Sequence, residues 1–444
     1  MTLTDVRPAG WDLVLGAGRP ERIGVVAAAT GLGVRVTGLD AAIGDLLVLG
    51  DGVRAEVAAL GADAVTAMPL DAAAGLRVGD RARSTRARMR VPIGSGMLGR
   101  VVDAAGQPID GKGAIVADRV AVDNVPPSPL DRARIDTALP LGVRVLDTLT
   151  PVGRGQRLGL FAGSGVGKSS LLSMIARGTD AEVAVIALVG ERGREVREFL
   201  EDDLGPEGLA RSVVVVATAD QAPLLRVRAA FTATRIAEGF RDEGRHAVLL
   251  MDSVTRVAMA QREIGLAIGE PPATRGYPPS VFGLLARLLE RAGTGAQGSI
   301  TGLYTVLVDG DDHDEPIADA ARSILDGHVV LDRKLAIAGH FPTVDALASI
   351  SRVAGRVTTA EQRRLAVALR RVMAARRQAQ DLIDVGAYQR GANPLVDAAV
   401  DHAAGIDAFL RQDIVEIADG AESWAHLARL VAALGVDASD GGDR

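Results

Sequence analysis

The sequence predicts a multidomain chain: a small all-β domain, a central α/β domain with a mainly parallel sheet, and an α-helical C-terminal domain. Three observations carry this reading. From about Arg22 to Arg90, short alternating apolar runs such as RIGVVAAA, GVRVTGL and GDLLVLG are broken by Gly and Asp every ~8–12 residues, the pattern of a small β-barrel or sandwich. From Gln156, the runs RLGLFAG, EVAVIALVG, SVVVVATA, HAVLLMDS and SITGLYTVLVDG alternate with amphipathic stretches. Continuous apolar strands of this kind are buried on both faces of a parallel sheet with crossover helices. After Val357 strand-like runs stop and helical periodicity takes over. The expected division is 1–90, 91–355 and 356–444, the middle part opening on a linker.

Composition sets bounds on function. The 444 residues are 48% hydrophobic, ample for two or three cores. A formal net charge of -6 argues against broad phosphate-backbone binding, so no nucleic-acid partner is expected. The absence of cysteine excludes disulfides and thiolate metal sites, and the six histidines show no paired metal spacing. The opening MTLTDVRPAGWDLVLG lacks the basic, apolar and small-residue regions of a signal peptide. The longest uncharged stretch, Ala292 to Val308, is too short to span a bilayer. The expectation is a soluble, cytoplasmic protein.

The elements follow in order. In the linker, DNVPPSPLDRAR at 123–134 carries three prolines that prevent a helix. Next, AGSGVGKS at 162–169 lies between the strand RLGLF and the helix SSLLSMIARG, where a phosphate-binding loop must lie. Ala162 stands where the pattern has glycine; Gly167, Lys168 and Ser169 match. Gly163, Gly165 and Gly167 let backbone N–H groups converge, and the following helix N-terminus adds its positive dipole end.

Lys168 is one of only three lysines, with Lys112 and Lys334, among 50 lysines and arginines. Its compact ammonium fits a narrow cradle that the planar fork of arginine would not. The bland alternative is a glycine-rich turn with an exposed lysine, but strand before, helix after and the hydroxyl of Ser169 favour a nucleotide site. Ser169 would hold Mg²⁺, and a second acid should end a buried strand: Asp252 does so in HAVLLMDS, unless it caps the next helix. Glu191 directly follows EVAVIALVG and projects toward the same crevice as a candidate general base, unless it is only favoured there by the helix dipole. Arg192 beside it would contact the γ-phosphate or face solvent. In the C-terminal part, Thr358 and Glu361 have capping-box spacing, and Leu365, Leu369, Val372, Met373 and Ile383 fall on one face.

With VPIGSGMLGRVVDAAGQPIDGKG (91–113) and LGVRVLDTLTPVGRGQRLGLFAG (141–163), the chain resembles the catalytic subunits of rotary ATPases. Within that superfamily, 270–293, 298–352 and LIDVGAYQRGANPLVDAA (382–399) resemble the flagellar type III export ATPases. The resemblance implies an N-terminal β-barrel, a RecA-like P-loop NTPase domain and a C-terminal helical domain, assembled as a homohexamer with ATP between subunits. It implies that Gly163, Gly165, Val166, Gly167, Lys168, Ser169 and Ser170 bind the phosphates and that Ser169 and Asp252 hold Mg²⁺. Glu191 would be the catalytic carboxylate, with Lys168, Arg192 and a neighbour's Arg352 also at the reaction, while Phe341 and Tyr388 would contact adenine. Implied partners are the flagellar export apparatus, a stator-like regulator, central-stalk proteins and chaperone–substrate complexes at an inner-membrane export gate. The N-terminal segment departs from the family, because Pro8, Gly10, Gly16 and Gly18 disfavour its usual continuous amphipathic helix.

Three other functions compete. An injectisome ATPase shares almost every motif. An RNA-translocating hexameric helicase needs an aromatic, basic platform, whereas the chain is 3% aromatic. A non-catalytic nucleotide-binding ring subunit would not need Glu191.

Overall fold

The computed structural model describes residues 21–163, 165–308 and 315–436, and the chain divides into two compact units, Met1–Met89 and Arg90–Arg444. In the first unit six strands, β1 (Ile23–Thr30), β2 (Gly33–Thr37), β3 (Leu46–Leu49), β4 (Val53–Leu60), β5 (Ala64–Pro69) and β6 (Arg81–Ser84), close an antiparallel barrel in the order β1-β2-β5-β4-β3-β6. Alternation builds it: Val34, Val36, Leu47, Leu49, Ala55 and Val57 face inward, while residues between them, such as Arg35, face out. The sequence is compatible with either a barrel or a sandwich; pairing of β1 with β6 closes the barrel and removes its edges. The expected interruption at Pro8, Gly10, Gly16 and Gly18 lies outside the described residues.

The second unit opens with β7 (Arg90–Ile93), β8 (Arg100–Asp103) and β9 (Asp118–Ala121); β7 and β9 form a ribbon. The proline-bearing linker is irregular, as expected, and is pinned from its start. The buried side chains of Glu238 and Arg291 form a bidentate pair at 2.7 and 2.8 Å. Asn124 donates to Glu238 at 2.7 Å and Arg291 donates to the Val122 carbonyl at 3.1 Å. A charge pair this deep persists because its remaining hydrogen-bonding capacity is also met.

Beyond the linker come α1 (Arg144–Leu149), β10 (Arg157–Ala162), α2 (Lys168–Gly178), β11 (Val183–Glu191), α3 (Gly193–Glu198), β12 (Ser212–Thr218), α4 (Pro223–Asp242), β13 (His246–Asp252) and α5 (Val254–Ala267). They are followed by α6 (Pro279–Leu289), β14 (Gly293–Thr294), β15 (Ser299–Leu307), β16 (Gly327–Leu331) and β17 (Ile350–Ser351). The sheet runs β17-β16-β10-β15-β13-β11-β12-β8. It is parallel except for β17 on β16 and for β14, which pairs with β15 off the main path. The five long apolar runs are its centre. The short strands β8 and β16 extend it, because Val101, Val102, Val329 and Leu331 are buried even though each run is only four or five residues long.

The C-terminal helices are α7 (Ala354–Val357), α8 (Ala360–Asp384), α9 (Pro394–Asp401), α10 (Ala403–Leu410) and α11 (Gly420–Leu434). Leu369 and Val372 of α8, Phe409 of α10 and Leu427 and Val431 of α11 share one hydrophobic core with the α/β layers. The capping box is one residue later than the sequence suggested. Thr359 accepts from the Gln362 N–H and the Gln362 side chain accepts from the Thr359 N–H. Thr358 is unavailable because its hydroxyl donates to the Ala354 carbonyl at the start of α7. Among the described residues, no helix is long and apolar enough to cross a membrane.

Candidate nucleotide site

Three parallel strands end at one place. The loop after β10 turns through left-handed glycines, Gly165 (φ 75°) and Gly167 (φ 87°), into the first turn of α2; these backbone angles are open chiefly to glycine. Gly163 and Val166 are buried, while Ser169 and Ser170 are placed at the start of α2. Ser164 lies outside the described residues. Lys168 opens α2, and its Nζ donates to Asp252 Oδ1 at 2.6 Å and lies 3.6 Å from Glu191 Oε1. Loop, strand-end acid and candidate base therefore meet around one ammonium.

Each carboxylate is placed by its strand. Asp252 ends β13, and its Oδ1 also accepts from Thr305 Oγ1 of β15 at 2.9 Å. Asp252 is not the helix cap: Ser253 is, accepting from the Arg256 N–H at 3.3 Å. Glu191 ends β11 just beyond a register shift against β12, where Gly190 takes φ 72°. Any other residue at 190 would be strained, and an added Cβ would lie 2.9 Å from that of Arg256.

Burial alone would pull the Lys168 ammonium down, but the Asp252 and Glu191 carboxylates outweigh it and hold the pKa above its ordinary value. Burial first, and then repulsion from Asp252, push the Glu191 carboxyl up to about 7, against the pull of Lys168. A carboxyl poised there suits general-base chemistry near neutrality.

Beside the loop is a cleft of about 540 Å³, lined by Gly167, Ser170, Phe341 and the 411–416 segment among others. Phe341 is 47% exposed, and its ring edge lies 3.4 Å from where a Cβ on Gly167 would stand. An exposed aromatic face beside Gly167, the residue before Lys168, is an arrangement on which a base could stack. Thr343 Oγ1 donates to the Val166 carbonyl at 2.6 Å, tying the Phe341 segment to the loop.

The residue set also fits a magnesium–nucleotide complex. Among the described residues no group of three or more His, Cys, Asp or Glu forms a metal cage. Mg²⁺ characteristically takes one or two protein ligands, with waters and substrate phosphates supplying the rest. Ser169 and the carboxylate of Asp252 offer those two.

Three expected residues are elsewhere. Arg192 is exposed and turned toward Glu195 at 3.4 Å, because it precedes α3 on the solvent side. Tyr388 does not line this chain's own cleft; its hydroxyl lies 3.0 Å from both the Asn393 carbonyl and Asp397, in the turn leading into α9. Arg352 lies just beyond β17 on the outer edge of the sheet, its guanidinium 3.5 Å from the Arg322 carbonyl. No hydrogen bond or ion pair among the described residues joins it to Lys168, Glu191 or Asp252.

The structure adds Thr305 and Arg256. The stem of Arg256 crosses Gly190, and its Nε is buried without a partner among the described residues. Its spacing of four from Asp252, one helical turn past the strand end, is a signal present in the sequence.

A closed barrel, a parallel sheet with a glycine loop on Lys168 and an acid at each of two strand ends define a phosphate-loop nucleotide-binding protein of the ATP synthase type. The family model for the ATP synthase alpha/beta family, nucleotide-binding domain, matches residues 142–351, and that for the T3SS EscN ATPase C-terminal domain matches residues 358–429. The chain is 50% identical over 417 residues to the flagellum-specific ATP synthase of Bacillus subtilis (92% of this chain, 95% of that one). It is 48% identical over 420 residues to that of Salmonella typhimurium (91% and 92%). A type 3 secretion system ATPase of Xanthomonas euvesicatoria is 46% identical over 398 residues (88% and 90%). The solved structure of the assembled ATPase EscN from enteropathogenic E. coli superposes with a TM-score of 0.88 at 42% identity, covering 92% of this chain and all of that one. The chain belongs to the family of type III export ATPases, within which flagellum-specific ATP synthases stand beside type 3 secretion system ATPases.

Proposed function

We propose that this chain hydrolyses ATP in a homohexameric ring and that the turnover energises export of flagellar proteins. The observation that carries the enzymatic half is the meeting of Lys168 with Asp252 and Glu191 at the mouth of the glycine loop. The loop N–H groups and Lys168 bind the β- and γ-phosphates. Ser169 and Asp252 would hold Mg²⁺, which when bound neutralises phosphate charge. Glu191 accepts a proton from the attacking water. The water oxygen bonds to the γ-phosphorus as its bond to the β–γ bridging oxygen breaks, releasing ADP and inorganic phosphate. Arg256, with an unused buried Nε and a stem packed on Gly190 next to Glu191, offers positive charge to the transferring group. Phe341 stacks on adenine, and Arg352, away from its own loop, serves the nucleotide of the adjacent subunit.

Similarity to an assembled EscN and to EscN in complex with its central stalk EscO supports the ring and a stalk partner. A stator-like regulator, chaperone–substrate complexes and cytoplasmic placement at the inner-membrane export gate follow from the same reading. The flagellar role is supported by relatives at 50% and 48% identity named flagellum-specific ATP synthases. Type 3 secretion system ATPases at 46% keep the virulence role as the second reading. Deletion of the gene separates them: loss of motility supports the flagellar role, and full motility with lost effector secretion contradicts it.

A further inference from the structure

The wall of the cleft facing Phe341 is the connection between α10 and α11, and its centre is a buried amide. Gln412 is 5% exposed and uses every polar group of its side chain. Its backbone N–H donates to the Phe341 carbonyl at 2.9 Å. Its side-chain Nε2 donates to the Gly142 carbonyl at 2.8 Å and the Glu416 carbonyl at 2.9 Å, and its Oε1 accepts from the Arg144 N–H at 2.8 Å. Rotating the amide by half a turn would set its NH₂ against the Arg144 N–H and its oxygen against two carbonyls. The side chain therefore has one orientation, and a fully satisfied buried amide rigidifies what it joins.

Its anchors belong to the phosphate-binding layer. Gly142 backs onto Gly178 at the end of α2, so closely that a Cβ at 142 would lie 2.7 Å from the Gly178 Cα. The Gly142 N–H in turn donates to buried Asp147 at 3.1 Å, which helps fix the local backbone. Gln412 thus reads the position of the helix that Lys168 opens and transmits it to the backbone of Phe341. Arg411 adds a parallel tie from its guanidinium to the Gly339 carbonyl at 2.9 Å.

We propose that Gln412 is a positioning residue for nucleotide-base recognition: it sets the separation between the Phe341 ring and the phosphate loop, and so selects a nucleotide whose base and phosphates are spaced to match. This rests on the reading that Phe341 stacks on the base. The experiment measures, on the full chain, dissociation constants for Mg-ATP and for inorganic tripolyphosphate, which has no base, together with kcat at saturating ATP. Phe341→Ala should weaken Mg-ATP about tenfold, the scale of one base–aromatic stack, and leave tripolyphosphate unchanged. Gln412→Leu should give the same split, with kcat largely kept. Gln412→Glu, which keeps shape but turns an acceptor toward two carbonyls, should also weaken Mg-ATP, and retained tripolyphosphate binding separates lost positioning from a general loss of structure. Retained tripolyphosphate binding reports an intact phosphate layer in each variant, and Gln412→Met replaces Gln412→Leu if that protein does not fold. The double variant Phe341→Ala/Gln412→Leu should be no worse than Phe341→Ala, because one residue acts through the other. If Phe341→Ala binds Mg-ATP normally, the base-stacking reading falls. If Phe341→Ala weakens it but the Gln412 variants do not, or lose tripolyphosphate equally, or add to Phe341→Ala, the positioning role alone is overturned.

Discussion

Replacing Lys168 with methionine keeps most of the length of the side chain and removes the charge around which the site is built. The ammonium is 2.6 Å from Asp252 and 3.6 Å from Glu191. At an effective dielectric of about 20, charges this close attract by roughly 4–6 kcal/mol per pair before desolvation, and burial of all three groups cancels most of that. What remains after the substitution is the buried Asp252 side chain beside a Glu191 carboxyl pushed still further up, with no counter-charge for either. We expect Lys168→Met to lose about 1–3 kcal/mol of stability in denaturant titrations at pH 8, and less at pH 5, where protonation relieves the repulsion. Turnover should fall further, by about 10²–10³-fold or more, because methionine cannot offer the β/γ-phosphates the positive charge that stabilises the transition state. Phosphate-release assays on purified protein, with circular dichroism as the folding control, measure both. Folded Lys168→Met hydrolysing ATP within a few-fold of the native rate would refute the placement of phosphate on this loop.

Three further outcomes follow from the same geometry. The Glu191 carboxyl is held up to about 7 against an ordinary 4.5, so the native state binds its proton more tightly than the unfolded chain, and stability contributed there falls as pH rises across that window. Glu191→Gln should therefore stabilise the protein, assayed without nucleotide, by about 1–3 kcal/mol at pH 8 and by almost nothing at pH 4; an advantage that grows toward acid pH would contradict this. Arg256→Ala should cut kcat about 10–100-fold, with circular dichroism as the control for the stem packing it also removes, and an unchanged kcat would remove it from the site. Inactive Arg352→Ala subunits mixed with inactive Lys168→Ala subunits should regain partial activity at interfaces that pair an intact loop with a neighbour's intact arginine. If subunit exchange is demonstrated and no activity returns at any ratio, Arg352 does not act simply across the interface.

What the sequence disclosed depended on range. Strands β10 to β13 and β15 were legible because parallel strands covered on both faces must be continuously apolar, and that pattern placed Lys168, Glu191 and Asp252 around strand ends before any structural neighbour was known. Strands β8 and β16 were not, since four or five residues carry too little periodicity to stand apart from a loop. Thr358 and Thr359 are adjacent and both followed by suitable partners, so spacing alone chose the wrong cap; the hydroxyl of Thr358 is engaged by the Ala354 carbonyl. Thr305 and Gln412 escaped because their partners are 53 and 270 residues away in sequence. The surroundings of Tyr388 were hidden for the complementary reason: an aromatic near a helix start carries no sign of the hydrogen bond with Asp397 that holds its hydroxyl. Arg256 was within reach, one turn beyond Asp252, but only the packing of its stem on Gly190 singles it out among so many arginines.

The central claim is that Glu191 performs the chemistry while Lys168 and the loop perform the binding. Glu191→Gln keeps the shape of the side chain and much of its hydrogen bonding but cannot take a proton from water. The direct measurement is single-turnover incubation of the variant with radiolabelled Mg-ATP, followed by separation of bound nucleotide and identification of its phosphate state. The account predicts that ATP binds with near-native affinity and is recovered intact after times at which the native protein has converted it to ADP and phosphate. Loss of ATP binding as severe as the loss of hydrolysis, or ADP recovered at the native rate, would contradict it.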